Sequence, residues 1–329
     1  METNKRMSES TNGCLVISLD FELIWGVFDT VDIKNKSEYF LNTREVIPEI
    51  LELFKKASIH ATWASVGMLF NDNWAEWNYN RSKQDPGYTN SKLSSYLYGE
   101  RIQEFDFRDI CFAPELIEKI YETNGQEMAT HTYSHYYCLE EGQGKESFRQ
   151  DLVQAIAVAS KMGIEIKSLV FPRNQIREEY LEICSEIGIL NVRSNPDSWY
   201  WNDTSKSGLI TKIARTADAY IDFGKKTYSY SDLKSTNGLP IKQQASRFLR
   251  PVESNSILRK LKIRRIKKEM SYAAKKGEIY HLWWHPHNFG DQPEESLKDL
   301  TDLIKHFEIL RSKYGFKSLN MRELGNLKL

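Results

Sequence analysis

The order of elements at the start of the chain constrains the fold most. Residues 14–23 (CLVISLDFEL) are rich in β-formers and read as a buried strand. Residues 44–58 (REVIPEILELFKKAS) then place Val46, Ile47, Ile50, Leu51, Leu53 and Phe54 at helical spacing. A second strand follows at His60–Val66 (HATWASV). Strand, helix, strand is the unit from which parallel sheets are built.

The rhythm breaks over 70–110, where Trp74, Trp77, Tyr79, Tyr88, Tyr96 and Tyr98 stand amid Asn, Ser, Asp and Gly. This stretch reads as an insertion over the body of the fold. Alternation resumes with a helix around Ala113–Thr123, a strand near Glu127–Thr130, a helix over Ser147–Met162 and a strand at Ser168–Phe171. A helix at Ile176–Ile187 and a strand at Ile189–Arg193 come next. Residues 197–270 are less regular and carry a basic run at 259–268 (RKLKIRRIKK), read as helix. The last strand is Glu278–Trp284 and the last helix Glu294–Lys313. With no repeat or linker, the expected organisation is a polar N-terminal tail at 1–13 and a single α/β domain over 14–329, with insertions near 70–110 and 197–270.

Composition narrows the function. Among 329 residues, 45 are Lys or Arg and 45 are Asp or Glu, so the net charge of +0 argues against a nucleic-acid binder. Residues 1–13 lack the apolar stretch of a signal peptide, and the cytoplasm is the expected compartment. Cys14, Cys111, Cys138 and Cys184 lie far apart and form no CxxC pair, as scattered free thiols do.

Four constellations can carry chemistry. Asp20 and Glu22 end the first strand, and side chains two apart share a face, at the carboxyl end where sites of parallel α/β folds gather. Apolar neighbours make two acids there costly unless they are paired or metal-bound. One can hold a cation while the other takes a proton from water. His131 and His135, in H-T-Y-S-H, can take adjacent positions around one divalent ion. In F-P-R-N-Q, Arg173 can orient an acid or bind an anionic substrate group, and Asn174 can bond sugar hydroxyls. In H-L-W-W-H-P-H-N, Leu282, Trp283 and Trp284 are expected in or beside the barrel mouth, with Trp284 a substrate contact, and His285, with Pro286 fixing the chain behind it, can donate a proton to a leaving group. His281 lies mid-strand, below the rim, and His287 lies past the proline, where contact with substrate or solvent is expected.

Taken in order, these motifs resemble those of the polysaccharide deacetylases, the NodB-homology carbohydrate esterases. S-L-D-F-E-L is similar to the first motif in its branch with spaced acids, T-H-T-Y-S-H to the second, and L-W-W-H-P to the last; the likeness runs over about 14–323. F-P-R-N-Q stands where the arginine-proline motif falls, but Val170 occupies the usual arginine position and Arg173 follows the proline. The resemblance implies a distorted, seven-stranded (β/α) barrel. It also implies one divalent metal ion, zinc first and Co, Ni, Mn or Fe otherwise, on Glu22, His131 and His135, with Asp20 as base and His285 as acid. The implied reaction removes an N-acyl group, most often N-acetyl, from an amino sugar of a surface-polysaccharide precursor or other glycan. The alternatives are a deformylase or other non-peptide C–N hydrolase on a small or lipid-linked sugar, and an inactive carbohydrate-binding relative. The run at 259–268 is read first as a solvated helix face and second as a peripheral contact with anionic lipid.

Overall fold

The computed structural model describes residues 12–201, 208–221, 224–233, 235 and 237–327; all but Asn12 and Gly13 of the expected tail lie outside them. Nine strands are described: β1 (Cys14–Phe21), β2 (Ala61–Ser65), β3 (Gln126–Thr130), β4 (Ser168–Leu169), β5 (Asn191–Ser194), β6 (Ile241–Gln244), β7 (Arg247–Phe248), β8 (Ile279–Trp284) and β9 (Lys317–Leu319). They form one sheet in the order β6-β5-β4-β3-β2-β1-β8-β7, with β9 beside β1. Every pairing between them is parallel.

The two ends of that order are one stretch of chain. At its middle, Ala245 N donates to Ser194 O and Ser246 N to His281 O, each at 2.8 Å. The segment thus leaves β5 as its neighbour and joins β8, and the sheet curls until both ends share it. Counting β6 and β7 as one stave and leaving aside β9, which lies off this path, gives the expected seven-stranded, distorted (β/α) barrel, with a β4 of only two residues. The sequence reading missed this stave because Gln243, Gln244, Ser246 and Arg247 interrupt any apolar pattern. It also missed the short β9.

Strand alternation then decides what faces the barrel axis. On β1, Leu15, Ile17, Leu19 and Phe21 face outward and pack with Val46, Ile47, Ile50 and Phe54 of the helix Ser37–Ala57. Each fully buried side chain of this kind contributes about 1.5–3 kcal/mol. Cys14 and Val16 face inward, joining Ala64, Ala129, Val170, Ile241 and Ile279 in a second, smaller cluster. Met321 and Leu324 of the helix Met321–Asn326 complete that cluster and plug the amino-terminal end of the barrel. The same parity turns Ser18 and Asp20 inward, one and two steps nearer the carboxyl rim.

The aromatic residues of 70–110 are mostly structural. Trp25 stacks on Trp77 (centroids 6.3 Å apart, planes at 8°), Trp74 meets Phe112 edge-on at 4.8 Å, and Trp25 Nε1 donates to Cys111 O at 2.7 Å. Tyr79, by contrast, is 84% exposed.

The basic run lies in the helix Ser256–Lys276, and several of its cations are engaged within the chain. Arg259 pairs with Glu295 and Asp299, Lys262 with Glu253, Arg265 with Glu269 and Lys267 with Asp302. These cations of the run are thus engaged by carboxylates of the chain itself. No helix among the described residues is long and apolar enough to cross a membrane.

Candidate active site

Asp20 is 2% exposed and Arg193, inward on β5, holds it with two parallel bonds: Nη1 to Oδ1 at 2.6 Å and Nη2 to Oδ2 at 2.7 Å. A buried carboxylate is tolerable only when paired and hydrogen-bonded, and the bidentate guanidinium is the strongest such partner. Burial pushes the Asp20 carboxyl up, but Arg193 and the nearby imidazoles outweigh it and hold the group below its usual range. Arg193 is itself positioned: Nη1 donates to Ser18 Oγ at 3.0 Å, Ser18 Oγ bonds His281 Nε2 at 2.8 Å, and the guanidinium lies 4.3 Å from the Trp283 ring centre. His281 is fully buried, which pushes it down to about 3 and keeps it neutral.

Glu22 leaves β1 into the turn Leu23–Gly26, and its carboxylate fills the space above Gly26. A Cβ on Gly26 would lie 2.0 Å from Glu22 Cδ and Oε1, so only glycine fits there. Oε2 of Glu22 sits 3.3 Å from His131 Nε2 and 3.1 Å from His135 Nε2. His131 Nδ1 donates to Val170 O at 2.8 Å, which fixes the ring with Nε2 turned to Glu22. The H-x-x-x-H segment is a tight turn rather than a helix, with Thr132 and His135 at φ +62° and +57°. Asp151, on the helix Lys145–Lys161, holds this turn by accepting from Tyr133 N at 2.7 Å and Ser134 N at 3.3 Å.

These donors fit a cation. Burial drives His135 down to about 4 despite the nearby carboxylate, so it is neutral at ordinary pH. Two imidazole nitrogens thus face one carboxylate oxygen at 3.1–3.3 Å, and with the ring protons on Nδ1 a cation would join all three. Glu22, burial notwithstanding, is held well below its usual range by the surrounding imidazoles. Its distances to His131 and His135 are close to the ~3.3 Å edge of a tetrahedron of zinc ligands at 2.0–2.1 Å.

His285 follows β8 and is 23% exposed at its side chain, the most open of these groups. Its Nε2 lies 3.7 Å from Asp20 Oδ2 and 3.6 Å from Glu22 Oε1. Asn288 Nδ2 stands 3.4 Å from Nδ1 and, as donor, leaves the ring proton on Nε2. Beside it opens a cleft of about 330 Å³ lined by Asp20, Asn174, Trp201, Phe248, Trp283 and His285, with Arg173, Arg215, Arg247 and Arg250 around them.

The structure thus brings Asp20, Glu22, His131, His135 and His285 together; of the four expected substrate contacts, Arg173 and Asn174 line the cleft and Trp284 and His287 do not. Arg173 does not reach Asp20; it pairs with Asp29 at 2.5 Å, stacks 4.2 Å from the Tyr137 ring centre and lines the cleft wall. Asn174 also lines the cleft, and its Oδ1 accepts from Arg193 Nη2 at 3.0 Å. Trp284 is not a cleft residue: it is fully buried between Phe54 and Phe289, under the helices. On β8 the inward parity belongs to His281 and Trp283, so of the two tryptophans expected at the mouth Trp283 lines the cleft. His287 is only 4% exposed, packed on Tyr39 and Phe40, and faces Glu22 rather than solvent. Arg193 was missed altogether; its one signal was a lone arginine closing a mostly apolar strand, I-L-N-V-R.

The fold and site together define a class: a parallel (β/α) barrel with an arginine-held aspartate beside a Glu–His–His donor set at its carboxyl rim. The chain belongs to the polysaccharide deacetylase family, whose model matches residues 20–192, more than half of its length. Among solved structures, one described as a polysaccharide deacetylase from Mycobacterium smegmatis aligns with TM-score 0.60 at 14% identity, covering 96% of this chain and 90% of that one. Another so described, from Pseudomonas aeruginosa PAO1, aligns with TM-score 0.54 at 12% identity, covering 95% and 90%. A PuuE allantoinase aligns with TM-score 0.53 at 11% identity, covering 95% and 90%. At these identities the likeness is one of fold. No curated protein sequence matches the chain.

Proposed function

We propose that this chain is a metal-dependent hydrolase that removes an N-acyl group, most often N-acetyl, from an amino sugar of a surface-polysaccharide precursor or related glycan. The observation that carries the reading is the juxtaposition of two differently held acids. Asp20 is fixed by Arg193 and free of the donor set, while Glu22 faces His131 and His135. One acid is placed to take a proton and the other to hold a cation.

Glu22, His131 and His135 would hold the ion, which supplies Lewis-acid polarisation of the acyl carbonyl and acidifies water. Asp20 accepts the proton of the attacking water, and Arg193 keeps its carboxylate ionised and aimed. Ser18 and His281 fix Arg193 in turn. His285, with its proton on Nε2 and its edge open to the cleft, delivers that proton to the departing amine. Trp201, Phe248 and Trp283 offer aromatic faces to a sugar ring.

The test is amine release from a panel of N-acetyl and N-formyl amino sugars, free and phosphoryl-linked, with metal content measured on the same protein. Acetate release from at least one amino sugar, dependent on the ion, is expected. Formate release alone would favour the deformylase reading. No release from any member by protein carrying a full complement of metal would overturn the reading.

A further inference from the structure

Glu22 faces imidazoles on both sides. Its Oε2 meets His131 and His135, while its Oε1 lies 3.6 Å from His285 Nε2 and 3.8 Å from His287 Nδ1. The rings of His285 and His287 are nearly parallel, at 14° with centroids 5.0 Å apart, so the two nitrogens converge on one oxygen. These three atoms lie within 4.8 Å of one another.

His287 is the unexplained member. It is 4% exposed, and its Nδ1 has no hydrogen-bond partner among the described residues. A buried polar atom left unpaired costs about 1–3 kcal/mol. At 3.8 Å the Glu22 oxygen is beyond hydrogen-bond reach, yet the nitrogen is aimed at it and the ring is wedged by Tyr39 and Phe40. Donors held this far apart are a few tenths of an ångström wider than the ~3.3 Å edge of a zinc ligand tetrahedron. A small inward shift would close them on an ion.

We propose that Glu22 Oε1, His285 Nε2 and His287 Nδ1 form a second divalent-cation site, bridged to the first by the Glu22 carboxylate. It favours ions that prefer imidazole, such as zinc, over magnesium or calcium. It binds more weakly than the first, because two dications then share one carboxylate. When it fills, the ion takes the His285 nitrogen that would otherwise carry the leaving-group proton, so excess zinc inhibits. This inference rests on the reading of His285 and of the first site given above.

The experiment titrates metal-free protein with zinc chloride, measuring bound zinc by equilibrium dialysis and amine release in parallel. The wild type should take up two ions, with activity rising on the first and falling on the second. His287→Phe, which keeps a ring against Tyr39 and Phe40, should bind one ion and lose the falling limb. If circular dichroism shows that variant unfolded, His287→Asn serves instead with the same expectation. One ion per wild-type chain at every concentration, or two in the folded His287 variant, would overturn the second site and leave the first standing. No bound zinc at all would overturn both.

Discussion

Two glutamates lie buried inside this barrel, and their surroundings differ in kind. Glu127, inward on β3, accepts from Thr62 Oγ at 2.7 Å, Ser168 Oγ at 2.5 Å and Arg322 N at 3.0 Å. Glu22, at the carboxyl rim, meets four imidazole nitrogens at 3.1–3.8 Å. Hydroxyl and amide donors saturate Glu127 and tie β2, β3 and β4 to the plug helix Met321–Asn326. Nothing is left over, and burial pushes its carboxyl up. Around Glu22 the partners are bases, two of them pressed toward neutrality by burial, and the carboxyl is held far down. Buried acids are common to both ends of the barrel; the balance of donors to acceptors separates a structural polar core from a site that calls for a cation.

The contrast can be broken in order of effect. Asp20→Asn should lower amine release by ~10²–10⁴-fold while metal content is unchanged, because it removes the base and leaves the donor set. Near-normal turnover would show that the two acids are misassigned. Gly26→Ala changes no ligand, but its Cβ would strike the Glu22 carboxylate. Zinc affinity should fall by roughly 10–100-fold, as when a group supporting a ligand is lost; unchanged affinity in a dialysis measurement would mean that Glu22 is not held as described.

At the other end, Glu127→Gln should change stability by only about 1 kcal/mol in urea unfolding, since the neighbouring hydroxyls can reverse their bonds. The folded carboxyl is raised above its ordinary 4.5, so its favourable contribution is present below that pH and is lost as pH rises through the folded value. The variant should flatten that slope; an unaltered slope would place the titration elsewhere. The smallest effect is expected from His60→Ala, where Nδ1 meets Glu323 at 2.8 Å on a half-exposed surface. Glu323 raises His60 above 6.5, so the pair stabilises below that pH and fades as pH rises through the raised value. A loss of under about 1 kcal/mol at acid pH, vanishing in mild alkali, is expected; a loss independent of pH would point to packing alone.

Where apolar pattern carried the structure, the sequence was readable. β1, β2 and β8 are continuous apolar or aromatic strands, and parity alone places Asp20 at the rim and facing inward. β6 and β7 escaped because polar side chains break the apolar pattern there, Gln243 bonding Asn191 inside the barrel and Arg247 bonding Glu269 of the helix Ser256–Lys276. Arg193 escaped because its partner, Asp20, lies 173 residues away, and no local pattern marks the pairing. That Trp283 and not Trp284 reaches the cleft was readable: His281 and His285 share a parity that Trp283 has and Trp284 lacks. The turn that brings His131 and His135 together was not readable at all, since it depends on Asp151 and on two residues with positive φ.

The central claim is that the imidazole-ringed acid, and not merely any buried acid, holds an ion. Zinc bound per chain, measured by emission spectroscopy after dialysis, should be compared among the wild type, Glu22→Gln and Glu127→Gln. Retention by the wild type and by Glu127→Gln, with loss from a folded Glu22→Gln, is the expected result. Equal zinc in all three would contradict the account.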